Sequence, residues 1–383
     1  MALCIKNIYS DFKGKLRGNR IENLVWLLNF VPKLVGFSLE RETVFVPFLV
    51  LTITLLLYVY GAGIVMYQVK FAQKSKDYVK NYFNVSISIF AITNCYWWIK
   101  QRPLLLKVLK QVNENDRLSR QTPCLQSTQE KLLSVVKKIL LLFYGFNIID
   151  SIFIYVPHRV DVCNNYYSMT PCVGLEPITS TPNKQICLIV LALQEFCIIT
   201  VVLNFQALLL FLIAHTSAMY QMLSAEILSL DSQIDYQVVK EKLPDIIGRH
   251  VLTLDITRNL QSLYSTPIGV NFGTNAVCIA LFFSLSFQEW INFSPILIYC
   301  FLVFFLYCYL CQKLIDASEM FEQAVYACGW EKFQLKEKSV VYIMLLQAQK
   351  PVKLLAANIV PVNIYTFATT LQLVYKFITV VKL

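Results

Sequence analysis

The run QICLIVLALQEFCIITVVLNFQALLLFLIA, residues 185–214, decides the fold of this chain, because its only charged side chain is Glu195. A helix needs about 20 mostly apolar residues to cross a bilayer, and this run exceeds that length. Further apolar runs of comparable length occur on both sides of it. The seven predicted spans are residues 44–69, 78–99, 132–156, 185–214, 264–287, 291–310 and 354–381. We therefore predict an all-α membrane protein with seven transmembrane helices.

The composition of the whole chain supports a membrane environment. Apolar residues make up 56% of the 383 residues, charged residues make up only 15%, and the mean hydropathy is +0.54. A soluble chain of this length could not keep so much apolar surface away from water. The spans and their connections use nearly the whole chain, which leaves no room for a large domain outside the membrane.

The positions of lysine and arginine predict the side on which each end of the chain lies. Segments 1–43, 100–131, 214–260 and 312–353 hold 24 of these residues, whereas the segments on the opposite side hold eight. Because positive residues collect in cytoplasmic loops, the N-terminus is predicted in the cytoplasm and the C-terminus outside the cell. This orientation is the reverse of that of a G-protein-coupled receptor. The net charge of +10 is then explained by topology and by contact with anionic membrane lipid, and no nucleic-acid motif is present.

Hydropathy and charge together divide the chain into six segments. Two of the segments predicted in the cytoplasm, 215–263 and 311–353, have helical periodicity. They fit either helices on the membrane surface or a bundle where subunits meet, and the bundle is favoured because they continue directly from spans. The segments are a cytoplasmic N-terminus at 1–43, helices 1–4 at 44–214, a cytoplasmic helical extension at 215–263, helices 5–6 at 264–310, cytoplasmic anchor helices at 311–353 and helix 7 at 354–383.

Two motifs near the C-terminus carry a family resemblance. Residues 324–334 read AVYACGWEKFQ, and residues 348–367 read AQKPVKLLAANIVPVNIYTF. The first resembles the Ala-x-Tyr-x-x-x-Trp stretch of the insect odorant receptors. The second is similar to their Gln-x-Pro, Leu-x-Ala and Pro-x-x-x-x-Thr-Phe series, in which the family often has glycine at the position of Ala357. The matching residues are Ala324, Tyr326, Trp330, Gln349, Pro351, Leu354, Ala356, Pro361, Thr366 and Phe367.

The resemblance implies a ligand-tuned odorant receptor subunit rather than the shared co-receptor. Such a subunit would bind a small, volatile, apolar ligand and assemble with the odorant receptor co-receptor as a heterotetramer. The assembly would conduct cations without selectivity, in the plasma membrane of olfactory sensory neuron dendrites. The alternative is a gustatory receptor channel of the same superfamily. Neither reading implies an enzyme activity or a cofactor.

The last predicted helix would line the pore of such a channel. Its candidate residues recur at three- and four-residue spacing, so they share one helix face. That face mixes polar side chains with an apolar constriction toward its end, as in a gate that closes by dewetting. A packing face whose lysines reach outward is the other reading. The candidates are Gln372, Lys376, Thr379, Val380 and Leu383, with Val380 as the predicted constriction.

The odorant pocket is predicted in the outer half of the helix bundle, where aromatic side chains and a few polar groups can enclose a ligand. Asp150 and Glu195 stand out, because an ionisable group inside a span is costly and usually faces protein or water. We hypothesise that they supply the polarity of the pocket, whereas any one aromatic there can equally be simple packing. The candidates are Tyr78, Tyr82, Phe83, Ser86, Phe146, Asp150, Phe153, Ile154, Leu191, Glu195 and Phe283.

The twelve cysteines and three histidines give no metal site and no catalytic residue. The cysteines lack the spacing of a zinc site, and no histidine has an acidic neighbour at the spacing that a membrane acyltransferase would use. Cys163 and Cys172 share one polar loop that is predicted outside, which gives two readings, a disulfide or two free thiols. A secondary transporter is disfavoured because the two halves of the chain do not repeat.

Overall fold

The structure is a computed structural model, in which the described residues form a bundle of long helices. It describes residues 14–15, 18–35, 37–40, 45–72, 75–120, 123–164, 172–230, 236–283, 285, 287–350 and 352–381. The helices are α1 (Ile21–Leu34), α2 (Val46–Lys70), α3 (Ser75–Lys100), α4 (Arg102–Arg120), α5 (Pro123–Cys163), α6 (Thr181–Leu228), α7 (Tyr236–Phe283), α8 (Phe287–Tyr326), α9 (Leu335–Ala348) and α10 (Ile364–Val381). A short antiparallel hairpin, β1 (Leu355–Ala356) and β2 (Val360–Pro361), precedes the last helix.

Five of the helices are long and apolar enough to cross a membrane. Within each, only 28–44% of the most apolar stretch is buried inside the chain, so much apolar surface faces outward and requires an apolar surrounding. These helices overlap the predicted spans 44–69, 132–156, 185–214, 264–287 and 291–310 over most of their length. The membrane class is therefore confirmed. The other two predicted spans fall on α3 and on the region of α10, and the total of seven and the sides of the termini stay predictions.

The run that decided the fold becomes the central helix of the bundle. Every residue from 201 to 220 of α6 is buried, and α6 packs against α5, α7 and α8. A helix that is apolar all round is stable only when it is surrounded on all sides, which explains why this run carries so few polar residues. The core of the whole molecule is thus built around α6.

Helices α6, α7 and α8 extend well beyond their apolar runs, which α6 and α8 carry in their first part and α7 in its last part. At a rise of about 1.5 Å per residue, the 48 residues of α7 measure roughly 72 Å, more than twice the thickness of a bilayer core. The predicted extensions at 215–263 and 311–353 are helical over most of their length. Their position in the cytoplasm follows from the charge pattern and stays a prediction.

A buried ion pair fastens this extended end of the bundle. Arg249 on α7 pairs with Glu226 on α6, and the two side chains are only 4% and 6% exposed. The Arg249 guanidinium also donates from Nη1 to Ser119 Oγ on α4 at 3.2 Å. Three helices therefore meet at one desolvated charge pair.

The predicted helix at 354–383 begins ten residues later than expected. Ala357 and Asn358 have φ angles of 51° and 58°, in the left-handed region, so the chain turns back at this point as a hairpin. Asn363 then accepts a hydrogen bond from the backbone N–H of Thr366 at 2.8 Å, which is the geometry of a helix N-cap. The hairpin is held against α7, where the Ala357 N–H donates to the Ser265 carbonyl at 2.7 Å.

Replacing Ala357 with glycine is expected to stabilise the protein by about 1 kcal/mol, because an L-residue with a side chain is strained at positive φ. The measurement is thermal unfolding of the purified protein in detergent. Ala356→Gly is the control, since Ala356 is a buried strand residue and its replacement is expected to destabilise by roughly 0.5–1 kcal/mol. A loss of stability in both variants would contradict the assigned backbone conformation.

The predicted disulfide partner of Cys172, Cys163, was wrong. Cys172 is bonded to Cys187, with their Cα atoms 5.8 Å apart, whereas Cys163 is an exposed free thiol. Cys187 lies in the second turn of α6 and is fully buried against the loop that carries Cys172. The sequence placed Cys187 inside a span, and this hid it as a partner for a loop cysteine.

Replacing Cys172 with serine is expected to lower the free energy of unfolding by about 3 kcal/mol, the value typical of a crosslink that closes a loop of this size. The sequence separation of the bonded pair is 15 residues. Thermal unfolding under non-reducing conditions measures the loss. Cys163→Ser serves as the matched control and should leave the unfolding temperature unchanged, so equal losses in the two variants would argue against the bond.

Candidate ligand cavity

A cavity of about 140 Å³ lies at the centre of the helix bundle. Six helices contribute to its wall, namely α2, α3, α5, α6, α7 and α8. Most of the lining surface is apolar, from residues such as Phe90, Ile198 and Ile296. The arrangement fits a site for a small molecule, since such sites are enclosed apolar spaces with a few placed polar groups.

Two π-helical turns shape the wall of this cavity. The first, Leu57–Ala62, carries Tyr60 into the lining, and the second, Ile199–Leu203, supplies Ile199, Val202 and Leu203. A π-turn adds one residue to a helical turn and so changes the direction in which the following side chains point. Both spanning helices therefore depart from regular α-geometry where they border the cavity.

The polar part of the lining comes from all six helices. Its members are side chains that sit inside otherwise apolar runs, where a polar group needs a partner or a function. They are Tyr60, Ser86, Asn147, Asp150, Ser151, Glu195, Thr274, Asn275 and Tyr299. Lysine, arginine and histidine are missing from the described residues of this lining.

Several of these polar groups already donate their hydrogens to the protein. The Tyr299 hydroxyl donates to Gln206 Oε1 at 2.8 Å, and the Thr274 hydroxyl donates to the Val270 carbonyl at 2.9 Å. The Asn147 side-chain amide donates to the Phe143 carbonyl at 2.7 Å. These bonds fix the orientation of the side chains and reduce the number of donors that face the cavity.

Asp150 differs from its polar neighbours. Its side chain is 7% exposed and borders the cavity, and among the described residues it has no hydrogen-bond or ion-pair partner. Glu195, the second carboxyl group in the lining, does have further contacts. Asp150 is thus the one of the two carboxyl groups that needs a partner from inside the cavity.

Three of the predicted pocket residues, Ser86, Asp150 and Glu195, line this cavity together. The remaining predicted residues lie elsewhere. Tyr78, Tyr82 and Phe153 are 39%, 58% and 62% exposed. Phe146 is half-buried outside the lining, Leu191 packs in a cluster with Val59 and the disulfide, and Ile154 lies on α5 with its side chain outside the described ones.

Phe83 and Phe283 belong to an aromatic cluster that borders the cavity through Cys278, Ile296 and Cys300, but neither ring is part of the lining. Phe83 stacks on Phe293 with ring centroids 5.4 Å apart, and Phe283 packs edge-on against Trp290 at 5.9 Å. Trp290 in turn stacks on Phe282 at 5.5 Å. These two predicted residues therefore pack against other rings, and the open volume lies beside Ser86, Asp150 and Glu195.

The sequence analysis did not identify six polar residues of the lining: Tyr60, Asn147, Ser151, Thr274, Asn275 and Tyr299. The signal that could have found them is their polarity within apolar runs, the same signal that identified Asp150. Asn147 precedes Asp150 by three residues and Thr274 and Asn275 interrupt the fifth predicted span. The sequence does not show which side of each helix faces the cavity, because that depends on packing between helices that are distant in sequence.

The candidate pore residues share the unpacked side of α10. Gln372, Lys376, Thr379 and Val380 are exposed, with Val380 at 71%, and Leu383 lies outside the described residues. The opposite side of α10 packs into the bundle. Its contacts are Phe367 against Phe304, and Leu371, Val374 and Ile378 within the apolar cluster around Phe282.

Residues 75–375 match the family described as 7tm Odorant receptor. The chain belongs to this family. The match covers most of the described helices, including α3 and the larger part of α10. The resemblance read from residues 324–367 is therefore confirmed, and the gustatory alternative and the enzyme and transporter classes are set aside in favour of a receptor.

Individual relatives are similar over part of their length. Odorant receptor 10a of Drosophila melanogaster is 25% identical over 187 residues, which are 44% of this chain and 45% of that protein. Odorant receptor 67a of the same species is 28% identical over 149 residues, 37% of this chain and 36% of that protein. The matches thus span less than half of each relative.

The fold extends the similarity to nearly the whole chain. The insect olfactory receptor OR5 from Machilis hrabei, in complex with eugenol, superposes with a TM-score of 0.77 over 94% of this chain and 97% of that one, at 15% identity. A second structure of the same receptor gives a TM-score of 0.72 over 87% of each chain, at 17% identity. The fold is therefore shared over 94% of this chain.

Proposed function

We propose that this chain is the odorant-binding subunit of an odorant-gated, non-selective cation channel. It assembles with the odorant receptor co-receptor as a heterotetramer in the plasma membrane of olfactory sensory neuron dendrites. Membership in the odorant receptor family and the fold it shares with an olfactory receptor support this proposal.

The central cavity is the observation that carries the ligand-binding part. Its volume of about 140 Å³ is close to that of an apolar protein cavity of 150 Å³ that takes up benzene. A volatile odorant with roughly the body of a six-membered ring would fill this space. The mostly apolar wall would bind the body, and the few polar groups would select its substituent.

The exposed face of α10 supports the pore part of the proposal. A helix with one packed face and one exposed apolar-polar face needs a second surface to cover it. In a tetramer, four such faces around one axis would enclose a conduit. Gln372, Lys376 and Thr379 would line it, with Val380 as the constriction and Leu383 beyond it.

Helix α9 supports the assembly part. Leu335, Tyr342 and Ile343 on this helix are 83%, 62% and 65% exposed, so the helix has a large apolar surface that the subunit itself does not cover. A large exposed apolar patch is typical of a protein–protein interface. We place the contact between subunits here, in the bundle predicted for 311–353 and 215–263.

Recording currents from cells that express this chain with and without the co-receptor tests the proposal. Volatile compounds of six to nine heavy atoms should evoke cation currents in the pair, with potencies that depend on the compound. The co-receptor expressed alone should not reproduce that ranking. Silence across such a panel, with both proteins present at the cell surface, would refute the channel assignment.

A further inference from the structure

The carboxyl group of Asp150, which accepts no hydrogen bond from the described residues, is the feature of the cavity that distinguishes one ligand class from another. We infer that the ligand carries a hydrogen-bond donor, a hydroxyl or an amine, on a compact apolar body, and that Asp150 accepts the hydrogen bond. The inference rests on the proposed odorant-binding function, because it names the chemistry that the same cavity prefers.

The burial of Asp150 indicates that its carboxyl group needs a hydrogen-bond partner. Asp150 is 7% exposed and has no partner among the described residues, yet it borders an open space. A buried polar atom that lacks a partner is costly, so water or a ligand must complete its hydrogen bonding. A ligand that displaces such water loses affinity unless it reproduces the lost hydrogen bond.

Several of the neighbouring polar groups already use their hydrogens within the protein. The hydroxyl hydrogens of Tyr299 and Thr274 and an amide hydrogen of Asn147 are already bonded within the protein. These three hydrogens are therefore unavailable to a ligand, whereas Asp150 receives no hydrogen from the described residues. A ketone or an ester, which only accepts, would leave Asp150 unpaired.

The acidic groups of the lining disfavour an anionic ligand. Asp150 and Glu195 are both carboxyl groups, and the described lining contains no basic side chain to balance them. A carboxylate ligand would be repelled by this wall. An alcohol is compatible with the wall, and a protonated amine gains a charge-assisted hydrogen bond.

Four compounds with one cyclohexane body form a matched test set: cyclohexanol, cyclohexylamine, cyclohexanone and methylcyclohexane. Their similar size keeps the apolar contacts nearly constant, so that potency reports the polar substituent. Currents from the pair with the co-receptor should be evoked by cyclohexanol and cyclohexylamine at concentrations about tenfold lower than by the other two, as expected for one hydrogen bond to the carboxyl group.

Substitutions at Asp150 assign the preference to this residue. Asp150→Leu should remove the difference between cyclohexanol and methylcyclohexane, and it is expected to fold because it replaces an unpaired polar group by an apolar one. Asp150→Asn adds an N–H donor and should bring cyclohexanone to within roughly threefold of cyclohexanol. Phe153→Leu, on the exposed side of the same helix, is the control and should keep the wild-type ranking.

Binding measured without current separates this inference from the proposed function. Cyclohexanol should raise the unfolding temperature of the purified wild-type chain in detergent, and Asp150→Leu should lose that selective rise. If this holds while no volatile evokes current, the channel proposal fails and the inference stands. If currents occur but the ranking is flat, or is unchanged in Asp150→Leu, the inference is overturned and the channel proposal stands. An absence of stabilisation by all four compounds also overturns it.

Discussion

Replacing Arg249 with methionine is expected to lower the free energy of unfolding by about 3–5 kcal/mol, because it leaves the carboxylate of Glu226 buried without its counter-charge. Both side chains are less than 7% exposed, so water cannot take the place of the lost partner. The same change removes the donor to Ser119 on α4. The loss should appear as a lower unfolding temperature and a reduced yield of monodisperse protein in detergent.

Two further variants separate the buried pair from ordinary surface charge. Removing both partners, as Arg249→Met with Glu226→Leu, should recover most of the loss, because no uncompensated charge remains. Arg258→Met breaks the exposed pair with Asp255, whose side chains are 71% and 48% exposed, and should change stability by no more than about 1 kcal/mol. If Arg249→Met were as mild as Arg258→Met, the pair would not be desolvated as the structure has it.

The long apolar runs are the part of the fold that the sequence predicts well. A run such as 185–214 can satisfy its backbone only as a helix in an apolar medium, whatever its neighbours are. The hairpin before α10, in contrast, depends on contacts that the sequence does not show. Residues 354–361 are apolar enough to extend the predicted helix, but Ala357 and Asn358 adopt left-handed conformations that are supported by contacts with α7, far away in sequence.

Of the residues predicted for the pocket, the ionisable ones border the cavity and the aromatic ones lie outside its lining. Asp150 and Glu195 were identified because a carboxyl group in a span requires an explanation. Aromatic residues require none, and Phe83, Phe283 and Phe153 pack against other rings or face outward. The position of a cavity depends on where packing is incomplete, and hydropathy along one helix does not contain that information.

The disulfide illustrates the same limit in the connecting loops. Cys163 and Cys172 are close in sequence and both lie outside the apolar runs, which made them the natural pair. The actual partner, Cys187, belongs to the start of α6, and it faces the loop only because the loop folds back over that helix end. Distances between cysteines decide such bonds, and sequence spacing does not supply them.

Replacing Val380 with serine is expected to produce cation current in the absence of any ligand. In the proposed channel, apolar side chains at this position close the pore by excluding water, and a hydroxyl on each would keep it wet. Val380 is 71% exposed on the side of α10 that faces away from the bundle, so the substitution should not disturb packing of the subunit. The basal current per surface receptor should rise at least roughly tenfold over the wild type.

A valine elsewhere on the apolar surface provides the matched control for this gate. Val69 on α2 is 77% exposed, and α2 contributes to the ligand cavity rather than to the proposed pore. Val69→Ser makes the same chemical change at a position whose side chain is similarly exposed. It should leave the basal current at the wild-type level. Equal leak from both variants would point to general loosening of the receptor. A silent Val380→Ser that still responds to ligand would place the gate on another residue, because a dewetted constriction cannot keep its barrier once it becomes polar.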